Sequence, residues 1–235
     1  MKQSVTTTLL AVLMSMVGLK TFAYDIAVAN TDGVTIYYEW TNDTELAVSS
    51  YNNYYTGTVV IPKSININGN TYPVTSIDSY AFYGCNGLTS VTIPISVISI
   101  GNFAFYGCSS LTTIVSEIDN PFSVDNSIFN GIDSNVLLIV PKGKKTIYQS
   151  TAGWNQFMNI VEYEKRKTIH VATAGTLPDL ILNYEKNLIE ELTLTGELNG
   201  TDLAFLRQMA GQISMIHSTS SDIDDISDLD EDFFC

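Results

Sequence analysis

Cysteine, basic side chains, histidine and long apolar runs are all scarce in this sequence, and each shortage removes a class of protein. Three cysteines in 235 residues are too few for a secreted fold held by a disulfide framework. Eleven Lys and Arg stand against 25 Asp and Glu, a net charge of −14. That balance leaves no basic footprint for nucleic acid or for anionic lipid. Beyond the first 23 residues no apolar run is long enough to cross a bilayer. There is no phosphate-cradling glycine loop, no nucleophile elbow and no zinc-ligand spacing. Cysteine–histidine catalysis would have to draw on Cys85, Cys108, His170 and His217. The two cysteines sit at equivalent positions of a repeat, the histidines fall in another segment, and nothing nearby would lower a thiol pKa. No cofactor is expected, and structural thiols are the better reading.

What is present is a chain able to bury a core, with 45% of its residues apolar. Residues 1–23 read as an export leader: Lys2 gives the charged start, Leu9–Gly18 the short apolar run, and Thr21-Phe22-Ala23 the small cleavage positions. The mature chain would then run from Tyr24 to Cys235 and lose Lys2 and Lys20, becoming more acidic still.

Repetition organises the middle of the chain. Ala-Phe-Tyr-Gly-Cys occurs at Ala81–Cys85 and again at Ala104–Cys108, and the same shift pairs Ile77 with Ile100, Leu88 with Leu111 and Val91 with Ile114. A fixed offset of this length marks a solenoid, one supersecondary unit per turn with equivalent residues stacked in ladders. Val59-Val60-Ile61-Pro62 and Leu138-Ile139-Val140-Pro141 echo Val91-Thr92-Ile93-Pro94, and Phe129-Asn130-Gly131 falls one residue late for a third copy. Two clear repeats and one degenerate repeat are counted. The inward set is Ile77, Ala81, Phe82, Cys85, Leu88, Val91 and Ile93, then Ile100, Ala104, Phe105, Cys108, Leu111 and Ile114. Ser116 replaces the last isoleucine, so the ladder should weaken there. Cys85 and Cys108 would lie roughly 5 Å apart on adjacent rungs, pointing in parallel, which favours two buried thiols over a bridge.

The expected fold is mainly β with short helices: a short leucine-rich-repeat solenoid with a β N-terminal cap and a small α/β, leucine-rich-repeat-like C-terminal segment. Residues 24–74 read as the cap, with Val34–Trp40 pairing Glu45–Ser49 and a hairpin at Asn68-Gly69. Residues 75–165 hold the repeats and a closing cap with a short helix from Lys145 and with Trp154, Phe157 and Ile160 over the last rung. Glu162–Lys167 reads as a charged linker. Residues 168–215 read as a partial second array, with helices over Leu177–Lys186 and Asp202–Met209 and a strand over Leu188–Leu194. Residues 216–235 form an acidic tail expected to fray, with seven acidic residues among the eleven of Asp222–Asp232, and that run lacks the glycine and spacing of a calcium loop.

Ile77 to Pro94, written Ile-x3-Ala-Phe-x2-Cys-x2-Leu-x2-Val-x-Ile-Pro, resembles the BspA-like leucine-rich repeat of bacterial surface proteins. The copy from Ile100 matches as far as Ile114. Gly33-Val-Thr-Ile-Tyr-Tyr and Tyr55–Pro62 resemble that family's N-terminal cap, Val140-Pro141 with Tyr148 and Trp154 its closing cap. Thr173–Gly211 resembles the start of a second array found in exported proteins of Bacteroides-type bacteria. The resemblance implies an exported or surface protein whose relatives act in adhesion, binding host matrix proteins or other cells. The first array is shorter than the family pattern, the second stops after about one repeat, and the tail from His217 does not match it.

Surface ladders are the candidate sites. Tyr83 and Tyr106 are equivalent and outside the inward set, as are Tyr80 and Phe103. Such exposed aromatic pairs suit protein interfaces and sugar faces. Ser90 and Thr92, with Thr113 and Val115 on the next rung, would line the strand face. The expectation is a non-enzymatic binding protein whose partner is a host or bacterial surface protein. Two alternatives are a glycan-binding accessory using Tyr83 and Tyr106 as platforms and a non-binding remnant of a larger adhesin.

Overall fold

A computed structural model describes residues 26–29, 33–50, 55–182, 185–186, 188–209 and 215–218. Residues 1–23, read as an export leader, and the acidic run 222–232 lie outside the described residues. The chain divides into two compact units, meeting in sequence between Glu162 and Tyr163.

The first unit holds β1 (Ile26–Ala29), β2 (Thr35–Asn42), β3 (Glu45–Val48), β4 (Thr56–Val60), β5 (Ser64–Ile67), β6 (Asn70–Ile77), β7 (Gly87–Ile93), β8 (Ser99–Ile100), β9 (Thr113–Ser116), β10 (Leu137–Pro141), α1 (Lys145–Ser150) and most of β11 (Asn159–Tyr163). Hairpins β1–β2, β2–β3 and β5–β6 are antiparallel. The β5–β6 turn places both Asn68 and Gly69 at positive φ, the conformation that the Asn-Gly pair supplies in a two-residue hairpin. Around these hairpins the first unit is built on two parallel ladders. One parallel ladder runs Val48, Ile77, Ile100 through β3, β6 and β8. The other runs Val59, Val91, Ile114, Leu138 through β4, β7, β9 and β10. The segment read as a cap therefore already contributes β3 and β4 to the two parallel ladders.

Between the ladders the chain turns a corner, and there the aromatic rings stack. Phe82 lies 4.9 Å from Phe105 with planes 9° apart, and Phe105 lies 5.6 Å from Phe129, again at 9°. Tyr55 closes this column at one end, 4.6 Å from Phe82. At the other end Phe129 meets Trp154 at 5.3 Å and Phe157 at 5.1 Å. The rings form one dry spine, every member buried. Stacking follows from the backbone: at alternate corner residues the amide donates to the next rung, as in Phe82 N to Ala104 O at 2.7 Å and Phe105 N to Ile128 O at 2.9 Å. The intervening amides bond within their own rung, Tyr83 N to Tyr80 O at 3.1 Å, so the tight turn leaves few donors unpaired. Gly84, Gly107 and Gly131 occupy equivalent positions at positive φ.

Ser116 corrects the expectation of a weak rung. It is fully buried, 2.5 Å from the Tyr148 hydroxyl of α1, which also donates to Ile118 O at 2.9 Å. The missing isoleucine makes room for the closing cap to anchor through a hydroxyl pair. Tyr148→Phe is expected to leave the Ser116 hydroxyl buried without that partner, lowering stability by about 1–3 kcal/mol. In Ser116→Ala/Tyr148→Phe the loss should be less than the sum of the single losses. A urea-denaturation double-mutant cycle measures both.

The second unit contains β12 (Arg166–Val171), α2 (Leu177–Leu180), β13 (Glu191–Gly196), α3 (Gly200–Met209) and β14 (Met215–Ser218). The strands are parallel, with Leu192 facing Lys167 on one side and Ile216 on the other. Strand, helix, strand, helix, strand gives this unit its own core of Ile169, Val171, Leu177, Leu192, Leu194 and Leu206 among others. Three readings change here. The charged run 162–167 holds the boundary between the units, but most of it is strand, and its cations are engaged: Lys165 with Glu190 at 2.7 Å, Arg166 with Glu191 at 3.0 Å, Lys167 with Glu185 at 2.6 Å. The first helix ends at Leu180, where Ile181 turns to extended backbone and enters the core. And β14 supplies a third parallel strand where order was expected to fade. Asp202, also unanticipated, is fully buried yet satisfied. Its carboxylate accepts from the amides of Gly175 at 2.6 Å, Leu177 at 2.9 Å and Asn199 at 2.9 Å, tying the start of α3 to the turn before α2.

Candidate functional site

The outer side of the corner carries a second set of stacked rings. Tyr80 and Phe103 lie 5.3 Å apart with planes at 15°, and Tyr83 and Tyr106 lie 5.1 Å apart at 7°. Within each rung the rings also touch: Tyr80 and Tyr83 at 5.6 Å, Phe103 and Tyr106 at 5.8 Å, with planes at 60° and 68°. Four aromatic side chains thus form a two-by-two tile. Tyr80 is 50% exposed and Tyr83 38%, while Phe103 and Tyr106 are half-buried. Beside it Ser109 Oγ donates to Asn86 Oδ1 at 3.1 Å, a polar ladder parallel to the rings.

The backbone under the tile is unusual. Tyr80 has φ 64° and Phe103 φ 59°, the left-handed region where a side chain costs roughly 1–2 kcal/mol. Asn68 is the other non-glycine residue described there. Each aromatic residue holds this conformation because its rung is over-determined, by Tyr80 N to Asn102 O at 3.1 Å and Phe82 N to Ala104 O at 2.7 Å in the first rung. Strain retained at the same position of two rungs, under large exposed rings, is the kind of outlier that accompanies binding surfaces. The repeat marks Tyr80 and Phe103 as an equivalent outward pair, but nothing in the sequence signals their positive φ.

The predicted hydroxyl row lies elsewhere, on the face of the β7–β9 sheet turned away from the core. Ser90 pairs Thr113 and Thr92 pairs Val115 in register. Ser90, Thr92 and Thr113 are half-buried, and Val115 is buried. Tile and hydroxyl row thus occupy different stretches of the rung, the corner and the following strand, rather than one cluster.

The cysteines are inert by environment. Cys85 and Cys108 are buried free thiols on adjacent rungs, and Cys108 Sγ donates to Phe82 O at 3.0 Å. Burial raises the Cys85 thiol to about 11 and the Cys108 thiol to about 12, from an ordinary 9.0. A nucleophile would need the opposite shift. Because the fold favours the neutral thiols, the unfolded chain ionises first as pH rises. Their contribution is complete below about pH 9 and should fade between about 9 and 12. The buried tyrosines Tyr38, Tyr55 and Tyr148 are raised too, by the same desolvation. Denaturation midpoints are expected to fall above about pH 9, less steeply in Cys85→Ala/Cys108→Ala. Among the described residues no group of three or more His, Cys, Asp and Glu side chains is gathered to hold a metal ion. No described helix is long and apolar enough to cross a membrane.

The family model described as BspA type leucine-rich repeat region (6 copies) matches residues 49–169 of this chain. The protein belongs to the BspA-type leucine-rich repeat family. The matched span reaches beyond the two clear and one degenerate repeats counted from identity alone. The match begins before β4 and ends within β12. Among solved structures, the chain is similar to a leucine-rich repeat protein from Bacteroides ovatus (20% identity, 69% of this chain and 54% of that one, TM-score 0.33). It is also similar to a leucine-rich cell surface protein from Faecalibacterium prausnitzii (15% identity, 83% and 55%, TM-score 0.33). A third is a leucine-rich repeat protein from Bacteroides capillosus (18% identity, 79% and 94%, TM-score 0.31). The chain spans about half the length of the first two. No curated protein matches its sequence.

Proposed function

We propose that this BspA-type protein is an exported, surface-associated binding protein without catalysis, holding a host or bacterial surface protein through the aromatic tile and the flanking rung surface. Residues 1–23, with the charge-then-apolar-then-small order of a leader, support export. The observation that carries the proposal is the tile: four stacked rings, partly open to solvent, on a backbone strained at the same position in two rungs. A rigid aromatic patch gives contact area at low entropic cost, and aromatic residues dominate interface hot spots. Ser90, Thr92 and Thr113 would add hydrogen bonds along the adjoining strand face.

The glycan alternative needs open ring faces. In each row the rings lie nearly parallel at about the strand spacing, so their facing sides cover each other and the platform area is reduced. That favours protein over sugar.

The test is an array of matrix proteins, bacterial surface proteins and glycans probed with the purified protein. Tyr83→Ala/Tyr106→Ala is expected to weaken the selected interaction at least ~10-fold while the variant stays folded, losing about 0.5–1.5 kcal/mol of ring stacking in addition to the partial burial of the two rings. Undiminished binding by the correctly folded variant would remove the tile from the function.

A further inference from the structure

The tile sits in a stretch without charge. From Ser79 through Ser116 no residue is Asp, Glu, Lys, Arg or His, in a chain where charged residues make up 15%. Acidic residues border it in sequence on both sides, Asp78 before it and Glu117, Asp119 and Asp125 on the following rung. What remains outward is tyrosine, phenylalanine, serine, threonine, asparagine and a few isoleucines, close to the repertoire of antibody combining loops, where rigid aromatics anchor and small polar groups adapt.

Ring orientation narrows the chemistry further. An aromatic ring is electronegative on its face and electropositive at its edge. Within each row the rings cover one another, with planes 7° and 15° apart, and the two rows meet edge to face at 60° and 68°, so a partner meets ring edges and tyrosine hydroxyls beside only part of the ring faces. Edges attract electron-rich groups, meaning the face of another aromatic ring or a backbone carbonyl oxygen. Sugar C–H groups are themselves electropositive and seek faces instead.

Resting on the docking role proposed above, we infer that the tile's partner is an uncharged polypeptide segment presenting aromatic or proline side chains, held edge-to-face and by carbonyl oxygens without ion pairs. The acidic borders act against anionic competitors, since like charges brought together oppose association.

The experiment pans a random peptide library on the purified protein, removing peptides that also bind Tyr83→Ala/Tyr106→Ala. Recovered peptides are expected to be rich in Trp, Tyr, Phe and Pro and poor in charged residues. Their affinity should change less than about twofold between roughly 50 and 500 mM salt, because there are no ion pairs to screen. It should survive Tyr83→Phe/Tyr106→Phe within about threefold, as the ring edges remain, and fall at least ~10-fold in the alanine pair. Lys- or Arg-rich peptides whose binding collapses with salt would overturn the inference, as would failure to enrich any tile-dependent peptide. Neutral oligosaccharides that bind only with the tyrosines present would overturn the polypeptide class while keeping the tile as the site. Peptides that bind the protein and the alanine pair equally would instead remove the tile itself.

Discussion

Phe105→Ala is expected to lower stability by about 3–5 kcal/mol, the cost of replacing a large buried aromatic ring by a methyl group. Phe105 is fully buried between Phe82 at 4.9 Å and Phe129 at 5.6 Å. Truncation removes stacking on both sides, and neighbours fixed by the inter-rung amide bonds have little freedom to collapse into the gap. Since each rung of a solenoid rests on the next, the loss should spread to both neighbours rather than stay local. Chemical denaturation followed by circular dichroism measures it. Tyr106→Ala, one residue away on the outside of the same turn and only half-buried, should cost less, about 1–3 kcal/mol. If the two variants were equally stable, the continuous aromatic spine could not be what holds the rungs together.

Gly153→Ala is expected to be almost as damaging, about 2–5 kcal/mol, for a different reason. Gly153 has φ 85°, and a Cβ there would run into the backbone oxygen and a methyl of Val124. Strained backbone and overpacking act together, roughly 1–2 kcal/mol from the first and 1–3 from the second. The affected turn leads directly into Trp154, whose indole Nε1 donates to Phe122 O at 3.0 Å, and Val124 N donates to Ala152 O at 3.0 Å. Displacing that turn should lift Trp154 from the end of the spine. Tryptophan emission provides the readout: a red shift in the native baseline, together with a lower denaturation midpoint. Gly143→Ala is the control, since that glycine also has positive φ, 76°, but a Cβ there would meet nothing within 4 Å. Its cost should be the backbone penalty alone, about 1–2 kcal/mol.

These two effects divide the fold into what repeats and what closes it. The repeating part was legible because identical local problems were solved with identical residues. Phe82 and Phe105 share a place in Ala-Phe-Tyr-Gly-Cys, and a shared place in a coil means stacking. The predicted inward set is buried throughout. Phe129 was found too, one residue late. Closing interactions were harder to see because they are made once. Nothing in the local pattern signals that Ser116 will meet Tyr148, or that Asp202 will gather three amides from two separate turns. A buried polar residue reads as a defect until its partner, far off in the chain, is known.

The candidate surface falls between these cases. Equivalence of Tyr80 with Phe103, and of Tyr83 with Tyr106, follows from the repeat alone, and so does their absence from the inward set. Their ring planes, the left-handed backbone beneath Tyr80 and Phe103, and the separation of the tile from the hydroxyl row on β7 and β9 do not. Spacing along the chain therefore determined the solenoid, its spine and the rows of side chains on its outside. Only the tertiary structure decided how those rows face, because ring orientation and backbone strain depend on bonds between successive rungs, and those bonds exist only after the chain has coiled.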